Sequence, residues 1–171
     1  MVQIIFKPEG KKLKKILIIY DSQTGNTEKM AFVVSEGIKE VMGAEPILKK
    51  VDQAALNDLQ DADAIIFGSP PCYGQMSGKL KAFIDTSTSL HGKLAGKVGG
   101  AFTSSGGTAC GAEATLLSIL NSMLVHGMVI QGMHEYNHYG PASVGAPGPQ
   151  EIKLCKMLGR KVAELTLELK A

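Results

Sequence analysis

Residues 134–138 read His-Glu-Tyr-Asn-His, the H-E-x-x-H spacing. On a helix this spacing stacks two imidazoles on one face, where they hold a zinc ion with the glutamate beside its bound water. The neighbouring residues do not supply that helix. Gly132 stands two residues before the first histidine and Gly140-Pro141 follow the second, while Tyr136 and Asn137 are poor helix formers. No third ligand is marked. The pattern is therefore read as a coincidence within a loop, and no metal site is expected.

A second constellation is better suited to its chemistry. Ser22, Gln23, Thr24, Gly25, Asn26 and Thr27 follow an apolar run and open a segment with helical periodicity. Hydroxyls, a glycine and successive N–H groups at a helix head suit a phosphate dianion, because the amides donate and the helix dipole favours negative charge. The simpler alternative is a helix cap, with Thr24 or Asn26 at the N-cap and Glu28 just inside. There is no G-x-x-x-x-G-K-[ST] and no G-x-G-x-x-G after the first strand, which argues against a nucleoside-triphosphate loop and a dinucleotide site.

The elements that must hold these residues alternate. Apolar runs at 15–21, 46–51, 63–69, 98–105 and 128–132 predict strands. Helical stripes fall at 27–42, about 77–86, 113–125 and in the C-terminal segment, where Cys155, Leu158, Val162, Leu165 and Leu169 share a face. Segment 113–125 is apolar nearly all round, so it is either buried or meets a partner subunit. Strands alternating with helices imply parallel pairing through right-handed crossovers, hence an open α/β sheet covered on both faces. Residues 1–171 are read as one domain, with 1–14 an N-terminal extension in which VQIIF is a possible edge strand. Residues 139–149 read as a long Gly/Pro-rich loop. Ligands of such sheets bind beyond the carboxyl ends of the strands. That places Ser69–Met76 and Thr103–Gly111 beside the first loop.

Composition narrows the class. The formal net charge is +2, from 18 basic and 16 acidic residues spread along the chain, and the one lysine cluster at 11–15 suits a solvated edge better than nucleic acid. No apolar stretch reaches membrane-helix length or forms a secretory signal, so a cytoplasmic location is expected. Cys72, Cys110 and Cys155 are far apart, which argues against a disulfide framework.

The blocks IIYDSQTGNTEKMA, IIFGSPPCYGQMSGKLKAFIDTS, GKLAGKVGGAFTSSGG and LLSILNSMLVHGMVI, in that order, resemble the flavodoxin-like FMN-binding proteins, and most of all the WrbA-type NAD(P)H:quinone oxidoreductases. The resemblance runs from about residue 15 to the C-terminus. It implies a flavodoxin-like open parallel five-stranded sheet of order 2-1-3-4-5, one noncovalent FMN, NAD(P)H as co-substrate and a quinone-like acceptor. It implies, further, that residues 22–27 cradle the FMN phosphate. Pro70, Pro71, Cys72, Tyr73 and Gly74 would lie along the isoalloxazine. Thr103, Ser104, Ser105, Gly106, Gly107 and Thr108 would offer backbone donors to its polar edge, and His126, in the H-G-M turn, would orient it. Tyr73 as a core cap and His126 as a partner of a helix dipole remain alternatives. No catalytic side chain is implied, and the family's dimers and tetramers imply a homo-oligomer.

Three departures from the family pattern stand out. Cys72 replaces its usual arginine, Pro71 its threonine, and SLHGKL lacks its tryptophan, leaving Leu90 or His91 to shape an acceptor pocket. The competing function is a flavodoxin-type electron carrier. Carriers of that kind resemble one another in being strongly acidic and in setting tryptophan and tyrosine against the ring, whereas this chain is slightly basic and has no tryptophan.

Overall fold

The computed structural model describes residues 12–169. The possible edge strand VQIIF lies outside the described residues. β1 (Lys14–Tyr20), β3 (Ala64–Ser69) and β4 (Val98–Ser105) form the middle of the sheet, between β2 (Ala44–Lys50) and β5 (Val129–Ile130). All pairs are parallel and the order is β2-β1-β3-β4-β5, as the resemblance implied. β3 and β4 are buried along their full length, which is why neither shows the apolar–polar alternation of a half-exposed strand.

Alternate residues of β1 face opposite layers. Ile16, Ile18 and Tyr20 pack with Met30, Val34 and Ile38 of α1 (Asn26–Lys39) and with Leu158 and Val162 of α5 (Pro149–Glu168). Leu17 and Ile19 pack with Leu59 of α2 (Leu56–Asp61), Leu80 and Ile84 of α3 (Gly78–Thr86) and Ile119 and Met123 of α4 (Ala112–Val125). The short helix α2 was not anticipated: its six residues hold only two leucines, too little periodicity to read.

α1 and α5 cross at unusually close range. A Cβ on Gly37 would overlap the Lys156 carbonyl oxygen, and a Cβ on Gly159 that of Val34. Each helix thus presents a glycine to the other's backbone. The C-terminal helix also holds Cys155 with no exposure, and burial pushes that thiol up to about 12.

The fifth strand departs from expectation. β5 keeps only Val129 and Ile130 against Val98 and Gly99, and the edge resumes at β6 (Ala142–Val144), which pairs with Thr103–Ser105. Residues 131–141 therefore bulge out opposite only positions 100–102 of β4. The expected loop at 139–149 contains this strand. Gly140 makes the return possible, because a Cβ there would overlap the Ala101 carbonyl oxygen.

Register aligns the ends of the strands. Tyr20 lies beside Gly68 and Gly68 beside Phe102, so the loops leaving β1, β3 and β4 begin at one rim of the sheet.

Candidate functional site

The loop from β1 to α1 is built by glycine and by Ser22. Gly25 is the N-cap, with φ 88 in the left-handed region, and makes no side-chain cap. The Ser22 hydroxyl instead accepts from the N–H groups of Gly25 (3.1 Å) and Glu28 (3.3 Å). This corrects the alternative in which Thr24 or Asn26 caps the helix. Gln23 and Thr24 are exposed, Asn26 is half-buried, and Thr27 is buried. The first two helical N–H groups, of Asn26 and Thr27, have no protein acceptor among the described residues. Such orphan donors at a helix head are what an oxyanion requires.

The loop from β3 to α3 turns back on itself at Cys72–Gln75. The Cys72 N–H donates to the Gln75 carbonyl (2.8 Å) and the Gln75 N–H to that of Cys72 (3.2 Å). Both central residues have positive φ, Tyr73 at 49° and Gly74 at 77°, which is the type I′ geometry that favours Asn-Gly. A tyrosine there is strained, and its ring is fully exposed at 109%. Tyr73 is therefore no core cap. Ser69 fixes the base of the loop, accepting from the Ser77 N–H at 2.8 Å. Burial, and then the charge of Asp21, push the Cys72 thiol up, which disfavours a reactive thiolate.

The third loop divides in two. Thr103, Ser104 and Ser105 are buried strand residues whose hydroxyls donate to the carbonyls of Ser69 (2.7 Å), Gly145 (2.7 Å) and Gly107 (2.9 Å). The Thr103 N–H donates to Pro141. Their hydroxyls, and the Thr103 N–H, are thus engaged within the protein. Beyond them the N–H groups of Gly106 to Cys110 have no protein acceptor among the described residues, and Gly106, Thr108, Ala109 and Cys110 are exposed. A Cβ on Gly111 would stand 2.8 Å from the Gly74 Cα. The second and third loops therefore touch, and only glycine permits it.

His126 lies away from these loops. It follows α4 at the opposite rim, where Gly127 accepts from the Gly96 N–H and Val129 donates to Lys97, just before β4 begins. β4 has eight residues, and at about 3.3 Å each the two rims stand ~25 Å apart. His91 is there too, its ring centroid 6.2 Å from that of His126. A hollow of about 370 Å³ opens at the same rim near Lys14, Asp63 and Lys97. The Lys97 ammonium is engaged by the carbonyls of Leu59, Gln60 and Ala62, so it is a structural clamp rather than a free charge.

The histidine pair sits in the 131–141 bulge, which contains no helix. The His138 Nδ1–H donates to the Met133 carbonyl at 2.8 Å, closing a tight loop, while His134 and Glu135 point to solvent. Among the described residues no group of three or more His, Cys, Asp or Glu is arranged to hold a metal ion.

Residues 14–138 match the family model described as NADPH-dependent FMN reductase. The chain belongs to this family. A protein of Archaeoglobus fulgidus named NAD(P)H dehydrogenase (quinone) is 38% identical over 191 residues, covering 92% of this chain and all of that one. A flavodoxin of Aquifex aeolicus is 41% identical over 158 residues, covering 88% of this chain and 85% of its own length. Among solved structures, the WrbA-like flavodoxin from Agrobacterium tumefaciens superposes with a TM-score of 0.80 at 25% identity, over 92% of this chain and 99% of that one. This FMN reductase family member is accordingly a flavodoxin-like, FMN-binding oxidoreductase. The donor set at the carboxyl rim fits FMN, since orphan N–H groups, exposed hydroxyls and a projecting aromatic ring meet there. No helix among the described residues is long and apolar enough to cross a membrane.

Proposed function

We propose that the protein takes a hydride from NAD(P)H and passes the electrons to a quinone-like acceptor through bound FMN. The observation that carries this reading is the meeting of three loops at one rim, two of them in backbone contact and two with unsatisfied donors. The hydride chemistry is the cofactor's own. The chain's part is to bind and orient it. Ser22, Gln23, Thr24, Gly25, Asn26 and Thr27 hold the phosphate. Pro70, Pro71, Cys72, Tyr73 and Gly74 line the ring, with Tyr73 projecting towards the side from which nucleotide and acceptor approach. Gly106, Gly107 and Thr108 donate to the polar edge of the ring, and Thr103, Ser104 and Ser105 brace them from the sheet. No side chain is assigned a proton transfer.

The Aquifex relative's name favours a second reading, an electron carrier that serves protein partners. The enzyme reading is preferred because the chain carries a net charge of +2 rather than the strongly acidic charge of such carriers. The Archaeoglobus relative named as a quinone dehydrogenase also aligns over its full length. An anaerobic titration of the FMN-loaded protein with NADPH and then NADH separates the two. Bleaching of the visible flavin bands by either nucleotide, reversed by a quinone, supports the enzyme. Indifference to both, with full reduction by dithionite, leaves the carrier.

We infer self-association as well. The outer face of α4 exposes Leu117, Leu124 and Val125 beside Val129 of the edge strand, and Glu113 is the only charged residue of the helix. An exposed face this rich in apolar side chains suits a second copy.

A further inference from the structure

Glu28 presents a difficulty for the phosphate site. It lies in the first turn of α1, and its N–H bonds the same Ser22 hydroxyl that organises the loop. Its carboxylate competes with a bound dianion for the positive end of the helix dipole and repels it. Between Ser22 and Thr27 there is no lysine or arginine to offset that charge.

The offset comes from the neighbouring strands. Tyr20 and Lys50 are register partners at the ends of β1 and β2. The Tyr20 hydroxyl donates to Glu28 Oε1 at 2.7 Å, and the Lys50 ammonium stands 2.9 Å from the same oxygen. Neither donor is taken from the loop itself, since both come from the strand ends. The Lys50 contact first, and the Tyr20 hydrogen bond second, hold the Glu28 carboxyl below its usual range. Glu28 is thus ionised at neutral pH, and protonation does not relieve the repulsion.

We propose that Lys50, supported by Tyr20, is a positioning residue for FMN: it neutralises Glu28 so that a loop without cations can hold a phosphate dianion. This rests on the FMN-phosphate reading of residues 22–27. As a stability device alone the pair would do little, because half-exposed ion pairs contribute weakly.

The test compares FMN with riboflavin, which has the same ring and no phosphate. Apoprotein is titrated with each by fluorescence quenching at low salt, for wild type, Lys50→Met, Glu28→Gln and the double variant. Lys50→Met is expected to weaken FMN binding by about 3- to 10-fold and to leave riboflavin within about twofold. The double variant is expected to recover FMN affinity to within about twofold of wild type, and the Lys50→Met deficit to shrink at about 1 M salt. The proposal is overturned if Lys50→Met binds FMN like wild type, if both flavins are lost equally, or if the double variant stays weak. Wild type that binds neither flavin sinks the FMN reading itself, and this proposal with it, before any variant is made.

Discussion

The Ser87 hydroxyl stands 2.8 Å from His126 Nε2, and its one hydrogen is already donated to the Ile84 carbonyl at 2.6 Å. Nε2 must therefore be the donor, which fixes the neutral tautomer of His126. Its Nδ1 is buried without a partner among the described residues. A second proton would have to sit on that nitrogen, with no acceptor.

Burial, and then the His91 ring, hold the His126 pKa below its ordinary value. The unfolded chain thus takes up this proton before the native state does, so stability falls as the pH is lowered. The contribution of His126 is full above about pH 7.5 and is lost as pH drops through ~6.5, until the native imidazole itself protonates. Urea midpoints measured between about pH 8 and pH 5 should fall less steeply in His126→Gln, which keeps a donor and cannot titrate. Parallel slopes would remove His126 as a source of acid sensitivity.

Gly159 gives a packing prediction. A Cβ there meets backbone rather than a movable side chain, overlapping the Val34 carbonyl oxygen and standing 3.1 Å from the Ile38 nitrogen. Gly159→Ala should therefore push α5 off α1 and destabilise by about 1–3 kcal/mol, despite alanine's better helix propensity. Gly78→Ala is the control. It lies in α3 with nothing within 4 Å of the added carbon, and it should be neutral or slightly stabilising. Thermal denaturation of the two variants decides; equal Tm values would mean that α1 and α5 can separate freely.

These details mark the limit of what the sequence carries. β1, β3 and β4 were legible because strands buried on both faces have no polar alternation to blur them. α2 was not, since Leu56 and Leu59 alone make no stripe. The fifth strand read as one piece although the edge is split, because nothing at Gly132 says that the chain returns to the same partner at Ala142. The phosphate loop could be read as a motif, but its internal bonding, with Ser22 rather than Thr24 on the N–H groups, is a property of the fold. The place of His126 in the fold was hidden for a different reason. Its motif suggested a site, yet a helix running antiparallel to the strands must end at the far rim. The Tyr20–Glu28–Lys50 contact escaped notice because its members come from three elements.

The exposed face of α4 predicts the assembly. Leu124 and Val125 are 56% and 71% exposed on a helix with almost no charge. Leu124→Glu and Val125→Glu together should cost the fold little, because both already contact water. If α4 meets a second copy, light scattering on a sizing column should show wild type as an oligomer and the double variant as a smaller species. A monomeric wild type, or an unchanged double variant, would leave this face without an assembly role.

Tyr73 predicts an opposition between stability and binding. At φ 49 it occupies the first central position of a type I′ turn, where its backbone is strained and its exposed ring gains nothing from the core. Asparagine is the residue that such a turn prefers before glycine, and Gly74 already follows. Tyr73→Asn should therefore raise the stability of the apoprotein, by up to about 1 kcal/mol, as left-handed strain is relieved. The same change removes the aromatic surface offered to the ring and should weaken FMN and riboflavin alike, unlike Lys50→Met, which acts on the phosphate alone. Urea denaturation of the apoprotein and flavin titration measure the two halves separately. Greater stability with undiminished flavin affinity would show that the turn holds Tyr73 for something other than the cofactor. Lower stability would show that the ring is supported by contacts along the loop.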